Sequence, residues 1–157
     1  MRLGLIANRA ALLELMMTQL AWRLAGTDLA LGQLVIRLTS ESAKRAIIAL
    51  AKQRLSEPLR ARVIAWANKS QKAQQQRSVY VHGNWDALLA GSGNVPSDIA
   101  HAFEEGRLKE GYFLCARPAH GHLEVVTLAN LDQLHDRLNS LIADSAHGDA
   151  FAALRQA

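Results

Sequence analysis

Along residues 3–25, Leu5, Ile6, Leu12, Leu13, Met16, Leu20 and Leu24 recur at spacings of three and four, which predicts a helix with a wide apolar face. A face that wide needs cover from more than one neighbour, so this helix is expected to be largely buried. Gly26-Thr27-Asp28 then offers a helix stop followed by a capping residue, and a second helix is expected from Asp28 to about Leu38. Thr39 and Ser40 cap a third, in which Ala43, Ile47, Leu50 and Ala51 form one stripe. Ser56-Glu57-Pro58-Leu59 gives a cap, an acidic first turn and a proline where a missing N–H costs nothing. A long fourth helix follows through Val63, Ile64, Ala67 and Ala73 to about Val81, because no glycine or proline intervenes before Gly83, which can end it.

Beyond Trp85 the pattern changes. "AGSGNVPSD" (90–98) reads as a loop, and Ser97 can cap a short helix, "DIAHAFEEG". Next, "GYFLCARP" and "HLEVVTL" are runs of strand-forming residues separated by "AHG", which predicts a β-hairpin over about 111–128. Two strands are marginal alone, so the hairpin must lean on the helices. Asn130 is expected to cap a last helix with Leu131, Leu134, Leu138, Leu141 and Ile142 on its inner face. The fold class that results is mainly α: a bundle of four to five helices in one domain, 1–157, with a hairpin inserted before the last long helix. No internal repeat or low-complexity tract interrupts it.

Composition narrows the setting. An apolar fraction of 50% with 20% charged residues fits a folded soluble domain, and the few aromatics agree with the helical reading. Arg23, Asp28 and Arg37 break up the early hydrophobic region, so no membrane span is expected. Arg9 and Glu14 fall inside the apolar part of the first residues, which argues against an export signal. The lone Cys115 leaves neither a disulfide framework nor a multi-cysteine zinc pattern, and the cytoplasm is the expected compartment. His120 and His122 read as turn residues, with no third ligand at metal spacing. No P-loop, dinucleotide fingerprint or GxSxG is present, and neither a metal nor a cofactor is expected. The formal net charge of +4 is spread along the chain; it admits an anionic partner and equally serves plain solubility. Trp22 and Trp66 are expected in the core or at a helix interface, and Trp66, on the helix of the candidate site, is also available to a dimer.

Chemically capable side chains concentrate in "QRSVYVHGNW", residues 76–85, at the end of the fourth predicted helix. Ser78 and His82 stand four apart and share a face, so the hydroxyl can orient the imidazole. Arg77, five positions before His82, lies about 140° round and about 7.5 Å along an ideal helix, within reach of a long side chain. Arginine neutralises phosphate oxygens in bidentate fashion, and histidine titrates near neutrality. Together they suit phosphodiester cleavage without a metal: one imidazole removes the 2′-hydroxyl proton, a second protonates the leaving oxygen, and the guanidinium stabilises the charged intermediate. A single chain supplies one such histidine, so a twofold dimer would supply both. The same residues admit a plainer reading, in which Arg77 and His82 merely complement the negative end of the helix dipole and Tyr80 and Trp85 pack under the hairpin.

Arg, four residues, then His near the end of a long helix in a helical domain resembles the HEPN superfamily of nucleotide-binding and ribonuclease domains. "RSVYVHGNW" is similar to its Arg-Asn-x-x-Val-His-Gly form with a following Trp, with Ser78 in place of the usual Asn. The resemblance implies a homodimer whose facing motifs make a composite site. In active members it implies metal-independent RNA cleavage, with His82 as acid/base, Arg77 as phosphate stabiliser and Ser78 as orienter. It makes RNA or a nucleotide the expected ligand, with Arg77, Tyr80 and Trp85 as contacts, and an antitoxin-type protein a candidate partner. Glu14 is of interest because acidic residues of the first helix approach the motif in some members. A non-catalytic dimer that senses nucleotides or mediates interactions is the alternative, and a helical protein unrelated to the family is a third.

Overall fold

The structure, a computed structural model, describes residues 2–28, 30–32, 38–82, 84–87, 105, 113–116 and 123–147. The described chain is mainly helical. Its long elements are α1 (Arg2–Ala25), α2 (Ser40–Arg54), α3 (Leu59–His82) and α4 (Leu128–His147). Three short strands, β1 (Asn84–Ala87), β2 (Phe113–Ala116) and β3 (Leu123–Val126), lie between α3 and α4.

The helix boundaries follow from their caps. Gly26 takes φ +73°, its N–H donates to Arg23 O, and the Thr27 N–H donates to Trp22 O at 2.9 Å. These two bonds satisfy the last carbonyls of α1, and only glycine takes that left-handed turn without strain. Asp28 Oδ1 then accepts from the Ala30 and Leu31 N–H groups and starts a helical turn at 30–32. The rest of the second predicted helix, 33–37, lies outside the described residues. Thr39 caps α2, its hydroxyl accepting from Ser42 N–H. α3 starts at Leu59, directly after Pro58, and runs one residue past the expected end.

At α4 the expected cap is corrected. Thr127, not Asn130, is the N-cap: its Oγ1 accepts from Asn130 N–H at 3.1 Å, while Asn130 Oδ1 accepts from Thr127 N–H at 2.8 Å. This is a reciprocal capping box with Asn in the third helical position, so the helix begins at Leu128, ahead of Asn130.

α1 packs on α2, α3 and α4, and α3 packs on α1, α2 and α4, so these two form the centre of a four-helix arrangement. Ile6, Ala10, Leu13, Met17, Leu20 and Leu24 of α1 meet Ala43, Ile47 and Ala51 of α2, Val63, Ala67 and Ala73 of α3, and Leu131, Leu134, Leu138 and Leu141 of α4. Val126, the last residue of β3, joins the same core. Two α1 leucines, Leu5 and Leu15, stay exposed, so the face is narrower than its sequence reads. Both tryptophans belong inside. Trp66 is 4% exposed and its Nε1 donates to Leu141 O at 2.9 Å, tying α3 to α4 and removing the ring from any surface of the chain. Trp22 is buried beside Gly32, where a Cβ would come within 2.5 Å of the indole.

Within the stretch 111–128, where a two-stranded hairpin is expected, β2 and β3 pair antiparallel, and β1 adds a further strand to give a small sheet in the order β1-β2-β3. Trp85 is the register partner of Cys115, and Cys115 that of Glu124. The third strand comes from the segment just past the candidate motif, and β2 packs against α3. The predicted turn at 119–121, with its histidines, and the short helix after Ser97 fall largely or wholly outside the described residues.

Candidate functional site

α3 delivers the motif. As the helix in contact with three others, it buries polar positions that its sequence presents as surface: Ser70, Gln71 and Gln74 are nearly inaccessible. Gln74 Nε2 donates to Ala10 O at 2.6 Å, while Ser70 Oγ and Gln71 Oε1 have no partner among the described residues. Toward its C-terminal end the helix comes to the surface. Arg77 is half-buried, and Ser78 and His82 are exposed.

Arg77 spans the five-residue gap as expected, with Nη1 3.4 Å from His82 Nε2. A guanidinium has only donors, so in this contact Arg77 is the donor and His82 Nε2 the acceptor. The root of the same guanidinium is held differently, since Arg77 Nε is buried with no partner among the described residues. The outer edge of the group faces the imidazole and the inner edge is packed.

Ser78 does not play its expected part. It has no hydrogen bond to His82, and it is Arg77 that holds the ring. Tyr80 is corrected outright as a ligand contact: its side chain is 1% exposed and sits in the hydrophobic core. The ring is thereby out of reach of a stacking base, whereas its hydroxyl accepts from Gln76 Nε2 at 3.0 Å. Trp85 lies in β1, the strand that follows the motif, with its backbone paired to β2.

Glu14, singled out for its carboxylate in an apolar helix, serves a neighbour of its own. Its Oε1 accepts from the Ser40 N–H at 3.1 Å, placing a negative group at the N-terminus of α2, where the helix dipole favours it. The carboxylate is used in the bundle rather than at the motif.

Sequence reasoning missed two residues. Gln76 Oε1 accepts from Arg137 Nη1 of α4 at 3.2 Å, so a second arginine, 61 positions away in the chain, is held by the residue that precedes Arg77 in α3. Only the adjacency of Gln76 to Arg77 was visible in the chain. Among the described residues no carboxylate forms an ion pair with either arginine, whereas Arg2, Arg45 and Arg60 are each paired with an acid. The described residues hold no cluster of three or more histidine, cysteine or acidic side chains able to bind a metal, and no described helix is long and apolar enough to cross a membrane.

A scan of protein families, a search of curated proteins and a search of solved structures each return no match to this chain.

Proposed function

We propose that the protein is a HEPN-like cytoplasmic homodimer that cleaves RNA without a metal. In this reading β2 and β3 are the arms of a hairpin inserted before the last bundle helix. The observation that supports it is the contact between Arg77 Nη1 and His82 Nε2 at the exposed end of α3. It joins a permanent cation to an imidazole whose Nε2 lone pair is freed when Arg77 turns to the phosphate. His82 takes the 2′-hydroxyl proton as general base, and the resulting oxyanion attacks the adjacent phosphorus. Arg77 neutralises the non-bridging oxygens as charge builds on the phosphorane. His82 of the second copy, protonated, gives its proton to the departing 5′-oxygen. The products are a 2′,3′-cyclic phosphate and a free 5′-hydroxyl.

The test is degradation of a labelled RNA in the presence of a chelator by the wild type, His82→Ala and Arg77→Ala. The wild type is expected to cut, and removal of His82 to lower the rate about 100-fold or more, the scale of positioned acid–base catalysis. Equal cutting by His82→Ala and wild type would overturn the assignment. If the wild type binds a nucleotide or RNA but leaves it intact, the second reading stands, a non-catalytic dimer acting as a nucleotide sensor or in contact with an antitoxin-type partner. Ser78 at the position usually held by Asn, with no bond to the imidazole, is the observation that favours this alternative.

A further inference from the structure

The geometry points to Arg137 as a second phosphate-binding residue, which makes the site one for a chain of nucleotides rather than a single nucleotide. The inference rests on the RNA reading above and specifies its substrate.

Arg137 lies on α4 and is exposed, yet its guanidinium is directed to α3 by the carboxamide of Gln76. Gln76 is held at both ends. Its Nε2 donates to the buried hydroxyl of Tyr80, which orients Oε1 to receive Arg137 Nη1 at 3.2 Å. The core therefore orients the carboxamide that holds the surface arginine, through one hydrogen-bonded chain. A carboxamide oxygen orients a guanidinium without neutralising it, and it occupies only part of a donor set of five N–H groups.

Arg77 stands at the next residue of α3. Successive side chains on a helix diverge by about 100°, so Gln76, with the Arg137 guanidinium it holds, and Arg77 point in different directions from α3, and the two cations serve separate oxygens. Neither cation is paired with a carboxylate among the described residues, so an anion with two charged centres can engage both. In a polynucleotide those centres are successive phosphates: Arg77, in contact with His82, takes the one to be cut, and Arg137 takes its neighbour.

The experiment compares three substrates that differ in phosphate number: the dinucleoside monophosphate UpU, the trinucleotide UpUpU and a fluorescent uridine 12-mer. Arg137→Gln is expected to weaken 12-mer binding about tenfold and to flatten the dependence of log K on log salt by about 0.7, one phosphate contact on a single strand. It should raise KM rather than lower kcat, and its penalty should be larger for UpUpU than for UpU. Gln76→Glu keeps Arg137 but pairs it with a carboxylate, and should weaken 12-mer binding in the same direction without lowering the melting temperature. Arg45→Gln, a surface arginine of α2 already paired with Glu41, controls for loss of charge elsewhere.

Wild-type salt slope and affinity in both Arg137→Gln and Gln76→Glu would overturn the assignment of Arg137. If His82→Ala and Arg77→Ala are impaired in that same case, the ribonuclease reading survives without it. If His82→Ala cuts as the wild type does, it is that reading which fails.

Discussion

At the scale of single residues, the two buried tryptophans separate packing from hydrogen bonding. Both are about 95% buried, but Trp66 Nε1 donates to Leu141 O, whereas Trp22 Nε1 has no partner among the described residues. Replacement by Phe removes a similar volume at each place and a hydrogen bond at only one. Trp66→Phe should therefore cost about 1 kcal/mol more than Trp22→Phe, which in a chain of this length is a further fall of about 2–4 °C in Tm. Calorimetry of the two variants checks it, and equal losses would mean that the indole bond contributes nothing net. At the motif, the separation of Arg77 from His82 made their contact readable in advance, because helix geometry and side-chain length alone decide it. Ser78 shares a face with His82, which permits a hydrogen bond without requiring one. Tyr80 differs from its expected role because an aromatic near a helix end reads alike whether it faces a ligand or the core. What buries it is α3's contact with three helices, a tertiary fact.

At the scale of elements, what could be read from sequence was what is decided over a few residues. The Gly26 stop, the Asp28 cap and the Thr39 cap all depend on partners no more than five positions away, and each lies where the pattern put it. The start of α4 was displaced because Thr127 and Asn130 are both good caps, and only their reciprocal bonds show which one stands outside the helix. That box is testable. Thr127→Ala and Asn130→Ala should each cost about 1 kcal/mol, and the double variant less than their sum, because either change alone already breaks the pair. Urea unfolding of the four proteins gives the coupling, and strict additivity would show that the two bonds act independently. The pairing of Trp85 with Cys115 and the meeting of Glu14 with Ser40 could not be read. Each joins segments at least 26 positions apart, and nothing local encodes the partner. α3 buries polar side chains for a related reason. A helix covered on several sides needs no single apolar stripe, and Gln71 and Gln74 are buried with the apolar positions.

At the scale of the whole molecule, the proposed chemistry sets a requirement that the described residues of one chain do not meet. Cleavage by acid and base needs two proton-transferring groups about one phosphate, and each chain places one imidazole, His82, against Arg77. On α4, His135 is committed elsewhere: it contacts Asn139 and lines a cleft of about 330 Å³ with Arg2, Leu5, Leu131 and Asp132. A twofold axis near the exposed end of α3 would bring a second His82 without any new residue, and the like charges of two Arg77 groups would then meet across the bound phosphate. Under this reading, activity belongs to the dimer. Diluted below the dimer dissociation constant, the protein should lose specific activity in step with the fraction of dimer, and sedimentation at working concentration should give a species of two chains rather than one of 17.2 kDa. A monomer at every concentration with undiminished specific activity would require both proton transfers to be made within one chain. Loss of activity that follows dissociation would instead tie the second transfer to the partner copy, since dilution changes nothing within a single chain.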